Sequence, residues 1–133
     1  MISHPKMIKF DETMKNMLDE VDNFIEDSFG NLFPLHPARP ERNTTANPLS
    51  DGLFGVRADF TPGFGSELGR GYILNIEMKT LSEIPDDIRN QIYNAAKTKV
   101  EELLPLYFPR RKLEVKQDGN FIKIVGDFSL GNL

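Results

Sequence analysis

The sequence predicts an α+β domain in the order α-β-β-α-β-β, with a four-stranded, mainly antiparallel sheet and two helices packed on one face. Three observations carry this expectation. Residues 11–29 and 85–104 place apolar side chains every three or four positions, the period of an amphipathic helix. Four shorter segments alternate apolar with polar residues, the period of a half-buried strand. Each helical segment precedes two of these strands, so two helix-plus-hairpin units can share one apolar layer. A chain of 133 residues, 39% hydrophobic and 27% charged, fits one domain over residues 1–133 with a real core.

In the first helix, Met14, Leu18, Val21, Ile25 and Phe29 form the stripe, and Met17 and Phe24 widen it. Asp11 suits the N-cap, and Gly30 suits a left-handed residue just past the end. Seven acids (Asp11, Glu12, Asp19, Glu20, Asp22, Glu26, Asp27) against Lys15 give residues 11–27 a local charge of −6 and the helix a negative outer face. Residues 31–51 follow as a proline-rich loop with Pro34, Pro37, Pro40 and Pro48 and no sustained period. Its two PxxP spacings match a polyproline II docking segment. The competing reading is a strap that tucks Leu32, Phe33 and Leu35 onto the core.

The first hairpin pairs residues 54–60 with residues 72–81. Phe54, Val56, Ala58 and Phe60 face inward with Leu74, Ile76 and Met78; Arg57, Asp59, Asn75, Glu77 and Lys79 face outward. The connection at 61–71 holds four glycines and reads as a mobile loop. It leads into a strand and contains no Gly-Lys-Ser/Thr, so it is not a phosphate cradle. Glu67 also occupies the last glycine position of a nucleophile elbow, which excludes that motif.

In the second helix Ile88, Ile92, Ala96, Val100 and Leu104 run at four-residue spacing. Pro85, Asp86 and Asp87 suit the first turn, and Pro105 and Pro109 mark the end. The final hairpin turns at Asp118-Gly119, the sequence of a type I′ turn, which would set Val115 opposite Ile122 and Leu113 opposite Ile124. Gly126 suits a bulge, after which Phe128 and Leu130 continue the inner face.

Composition limits function. The absence of cysteine removes disulfides, thiolate nucleophiles and Cys-ligated metals. No segment approaches the ~20 apolar residues of a membrane helix, and Met1 to Phe10 carries no signal-like apolar run, so a cytoplasmic location without membrane contact is expected. His4 and His36 lie in irregular segments away from any metal-ligand spacing, and no cofactor or metal is expected.

A net charge of −4 disfavours a general nucleic-acid binder. The best surface is the outer sheet face, where Arg57, Asp59, Asn75, Glu77, Lys79, Lys123 and Asp127 project. In element order, size and acidic pI of about 5.2, the chain resembles small dimeric type III secretion chaperones and some phage tail-completion proteins at the level of fold. It lacks the chaperones' extra strand and final helix.

The expected function is a non-catalytic protein-binding or assembly module, binding another protein or itself as a homodimer through the charged sheet face or a strand edge. The competing reading has the strap covering those edges. A second expectation is a small enzyme or metal site at Asp59, Glu77 and Asp127, with alternating Arg57, Lys79 and Lys123 offering ion pairs as the simpler account. A third is single-stranded nucleic-acid binding through residues 107–123. There the basic patch Arg110, Arg111, Lys112 and Lys116 interleaves with Tyr107, Phe108 and Phe121.

Overall fold

The computed structural model of the chain describes residues 5–65 and 68–126. Helix α1 (Pro5–Phe29) is followed by strands β1 (Phe54–Thr61) and β2 (Gly71–Met78), helix α2 (Asp86–Tyr107), and strands β3 (Leu113–Asp118) and β4 (Phe121–Gly126). All pairings are antiparallel and the sheet order is β1-β2-β4-β3, so β1 and β3 are the edges. Both helices cover the apolar face. The core joins Met14, Leu18, Val21 and Ile25 of α1 to Ile92, Ala96, Val100 and Leu104 of α2, over Phe54, Val56, Leu74, Ile76, Ile122 and Ile124. The predicted fold class and element order are those observed.

Several local expectations change. Helix α1 starts at Pro5, not after an Asp11 cap, because Phe10 is buried four residues before Met14 and extends the same stripe. Gly30 is not left-handed. Its amide continues the ladder to the Glu26 carbonyl at 2.8 Å. A Cβ there would lie 2.6 Å from Glu26 Oε2, so space rather than φ favours glycine. Helix α2 runs through Pro105, which removes one hydrogen bond from a last turn closed by Phe108 N–H to the Leu104 carbonyl, at 2.8 Å. Strand β2 ends at Met78, short of the expected Leu81, which is exposed.

The second hairpin is slipped by two residues from the expected register. Asp118 pairs with Phe121, Val115 with Ile124 and Leu113 with Gly126. The two turn residues are therefore Gly119 and Asn120. Only the glycine has positive φ, +61°, as a type II′ turn requires at its first central position. Phe128 and Leu130 lie outside the described residues.

The 31–51 segment is a strap with a built interior, not a free polyproline ligand. Arg39, inside the second PxxP spacing, donates Nε to the Gly52 carbonyl at 3.1 Å, and Nη2 to the Leu49, Asp51 and Phe54 carbonyls at 2.8, 3.0 and 3.1 Å. Asn47 caps a short 3-10 turn, Pro48–Ser50, and accepts from Lys15 Nζ of α1 at 2.7 Å. Phe33 packs against the core, while Leu32 is exposed.

Candidate functional site

The outer sheet face gathers five of its seven predicted residues into one ion-pair network. Arg57 donates Nε to Asp59 at 3.0 Å and Nη1 to Glu77; Lys79 also pairs with Glu77, and Asn75 donates to Asp59. Bonds from Lys79 and then Arg57 hold the Glu77 carboxyl below its ordinary range. The carboxylates at Asp59 and Glu77 thus have cationic partners, as their alternation with bases implies. Lys123 does not join them. It stands opposite Lys116 and Ile73 and is only 1% exposed. Its ammonium is 3.1 Å from Asp118 and bonds the Gly69 carbonyl, so it is an internal tie and not a surface contact. Asp127 lies outside the described residues. Among the described residues, no group of three or more His, Cys, Asp and Glu side chains could hold a metal ion.

The basic patch divides as well. Arg110, Lys112 and Lys116 are exposed, and Lys116 pairs with Glu114 at 3.2 Å. Arg111 instead turns inward, with its guanidinium 4.9 Å from the centre of the Phe10 ring. Of the aromatics proposed for stacking, Phe108 is in the core and Tyr107 is half-buried, donating its hydroxyl to Glu20 at 2.8 Å; Phe121 is exposed.

Two α1 acids expected on the outer face are buried and hold the free edge of β1. Glu26 Oε1 accepts the Phe54 amide at 2.8 Å, and the Leu53 amide also favours its charged form. Asp22, one helical turn earlier, is buried beside Val56, whose amide favours the charged form of its carboxyl. Burial raises both carboxyls, and the neighbouring Glu26 charge adds to the effect on Asp22, which is pushed up to about 8. Arg39 occupies the Phe54 carbonyl on the same edge. This capping replaces a strand partner with side chains over the first residues of β1. The sequence carried a signal: Asp22 is four residues after the core Leu18, and Glu26 is four residues after Asp22.

The capping stops at Val56. Amide direction alternates along a strand, so Ala58 and Phe60 also point their N–H groups away from β2. Beside them β1 and the first half of α1 enclose an open groove of about 620 Å³. Phe10, Met14, Leu18, Val56 and Ala58 form its floor, with Phe60 and Tyr72 at the hairpin end. Phe60 is 57% exposed and meets Tyr72 edge-on at 5.6 Å. Tyr72 lies 5.6 Å from Phe10, which lies 5.0 Å from Phe108. The charged lining is Asp11 against Lys15, Arg57, Arg70 and Arg111, an excess of positive charge. Lys15 and Arg57 already pair with Asp19 and with Asp59 and Glu77, and Arg70 is exposed at the hairpin end.

Among the described residues, no helix is long and apolar enough to cross a membrane. No solved structure matches the chain significantly. A protein of Borreliella burgdorferi described as "Uncharacterized protein" is 39% identical over 123 residues, covering 92% of this chain and 96% of that one. A family model described as "Uncharacterised protein" matches residues 5–126, and the chain belongs to that family.

Proposed function

We propose that the chain is a non-catalytic, cytoplasmic protein-binding module that takes an extended segment of a partner protein as an added strand on the open half of β1. The observation that supports this is the change along one edge. Glu26 takes the Phe54 amide and the buried Asp22 lies beside Val56, and beyond Val56 the edge borders an aromatic-walled groove. An added strand gains main-chain hydrogen bonds from the edge and selectivity from the pockets taking alternate side chains. Here the apolar floor would receive every second side chain of the partner. The exposed Arg70 at the hairpin end favours an acidic residue in that part of the segment. The sheet face expected to bind has its own charges paired, and surface pairs of that kind contribute little to a docking energy.

A random-peptide display library panned on the protein tests the reading. Enriched peptides should alternate apolar residues with Asp or Glu and should shift the amide resonances of Ala58 and Phe60. Ala58→Pro removes an outward N–H without touching the β1–β2 ladder, because proline is tolerated on the open side of an edge strand. It should leave the fold intact and abolish peptide binding. Peptides that shift only the Arg57–Glu77 face would refute the edge reading. Sedimentation showing a dimer that protects Phe60 would instead give the groove to a second copy of the chain.

A further inference from the structure

The sheet opens into a fork between β2 and β4. These strands pair only over residues 72–74 and 122–124. Strand β2 runs on beside β1 to Met78, while β4 begins at Phe121, so past Leu74 no strand lies on the β4 side of β2. Tyr93 of α2 meets part of this edge, donating its hydroxyl to the Ile76 carbonyl at 3.2 Å. The rest is an open cleft of about 510 Å³ between β2, the first half of α2 and the turn joining β3 to β4. It shares no residue with the groove beside β1.

The lining is chemically selective. Five side-chain carboxamides, from Asn75, Asn90, Asn94, Gln117 and Asn120, surround a floor of buried Leu74 and Ile122. Asn90 and Asn94 stand one helical turn apart on α2, as Arg89 and Tyr93 do, so the helix presents two adjacent rows to the cleft. Asn75 donates to Asp59, and Gln117 donates to the Gly119 carbonyl at 2.9 Å, which leaves the oxygens of both carboxamides to accept. Asn90, Asn94 and Asn120 are exposed and can turn either end toward a ligand. Phe121, 56% exposed, adds an aromatic ring. Arg89 is the single cation of the lining, which includes no carboxylate.

That set of groups suits one kind of ligand. A hard metal ion needs carboxylate oxygens, and a polyphosphate needs several cations. A carboxamide instead offers a donor beside an acceptor, the pattern that the edge of a nucleobase presents, and an exposed aromatic ring stacks on the face of the base. We propose that this cleft binds a nucleobase. Carboxamides from α2 and from the β3–β4 turn read its edge, Phe121 stacks on its face, and Arg89 meets one phosphate. A free mononucleotide and an unpaired base of a single strand share this chemistry.

Titration of the ¹⁵N-labelled protein with adenosine monophosphate tests it, read on the side-chain amide resonances of the five carboxamides. These should move together and saturate, while the backbone amides of Ala58 and Phe60 stay in place. Phe121→Ala, at an exposed position that leaves the floor intact, should weaken binding at least about fivefold. Asn94→Ala, on the exposed side of α2, should weaken the monophosphate and adenosine alike. Arg89→Gln should weaken the monophosphate and leave adenosine unchanged. An oligoadenylate strand distinguishes the two sources. Tighter binding than the monophosphate, lost as salt is added, assigns the cleft to a strand; equal or weaker binding assigns it to the free nucleotide. Three results overturn the proposal: carboxamide resonances unmoved at about 10 mM monophosphate, undiminished affinity in Phe121→Ala, or movement with maltose and none with the monophosphate.

Discussion

Glu26 organises its surroundings through the space two glycines leave for it. A Cβ on Gly52 would come within 2.3 Å of Oε1, and one on Gly30 within 2.5 Å of the Glu26 carbonyl oxygen. Gly52 also sits at φ +74°, where any other side chain is strained. Gly52→Ala should therefore cost about 2–3 kcal/mol by combining strain with a clash, read as a lower urea midpoint at unchanged slope. Glu26→Leu leaves the Phe54 amide without its acceptor. That should cost about 1–3 kcal/mol, and Glu26→Gln, which keeps a carbonyl oxygen, should cost less. The sequence reading placed Asp22 and Glu26 outward on composition alone, since acids usually face water. Their i+4 spacing from Leu18 put them at the margin of the buried stripe. What they meet there is brought in by a chain segment 26 to 34 positions away, which helix periodicity does not encode.

Helices and strands were legible because their periods are local. Register was not, and the second hairpin shows why. A slip of two residues keeps every side chain on its original face, so the pattern of Leu113, Val115, Ile122 and Ile124 fits both alignments equally. The turn decides between them. With Gly119 alone at positive φ, Gly119→Ala should destabilise the protein by about 1–2 kcal/mol, whereas a type I′ turn would also have required positive φ at Asp118, which has none. The strap was legible only as an absence of period. Its order comes from Arg39, whose planar fork reaches four carbonyls at once. Lysine presents a single ammonium and does not reproduce that geometry. Arg39→Lys should cost about 2 kcal/mol and open the strap to proteolysis between residues 31 and 51; an uncut strap with wild-type stability would show that the proline-rich chain holds itself.

At the scale of the molecule, the groove was not readable from the sequence because no local pattern says which strand is an edge. The order β1-β2-β4-β3 arises from the crossover through α2 and leaves β1 as an edge, beside the first half of α1. The same arrangement places buried acids where they govern the response to pH. Asp22 keeps its proton in the folded state up to about 8 and loses it in the unfolded chain near 3.8, so between those values the folded state binds more protons. Stability then falls as pH rises through that window, by at most about 1.4 kcal/mol per unit. Glu26, raised by burial, acts in the same direction. Asp51 opposes them only at low pH. Burial pushes it up, but the Thr45 amide and hydroxyl with the Asn43 amide hold it below 3.8, so its contribution is lost as pH falls through that lowered value. Glu77 is lowered too, but its side chain is 40% exposed and solvent screens the effect. The maximum is therefore expected on the acid side of neutrality. Thermal melts should show the midpoint falling from about pH 5 to about pH 8 and then flattening. Asp22→Asn should be the more stable protein at the alkaline end. A midpoint that rises toward neutrality would mean that Asp22 is ionised in the folded protein and that a cation, not a proton, answers it.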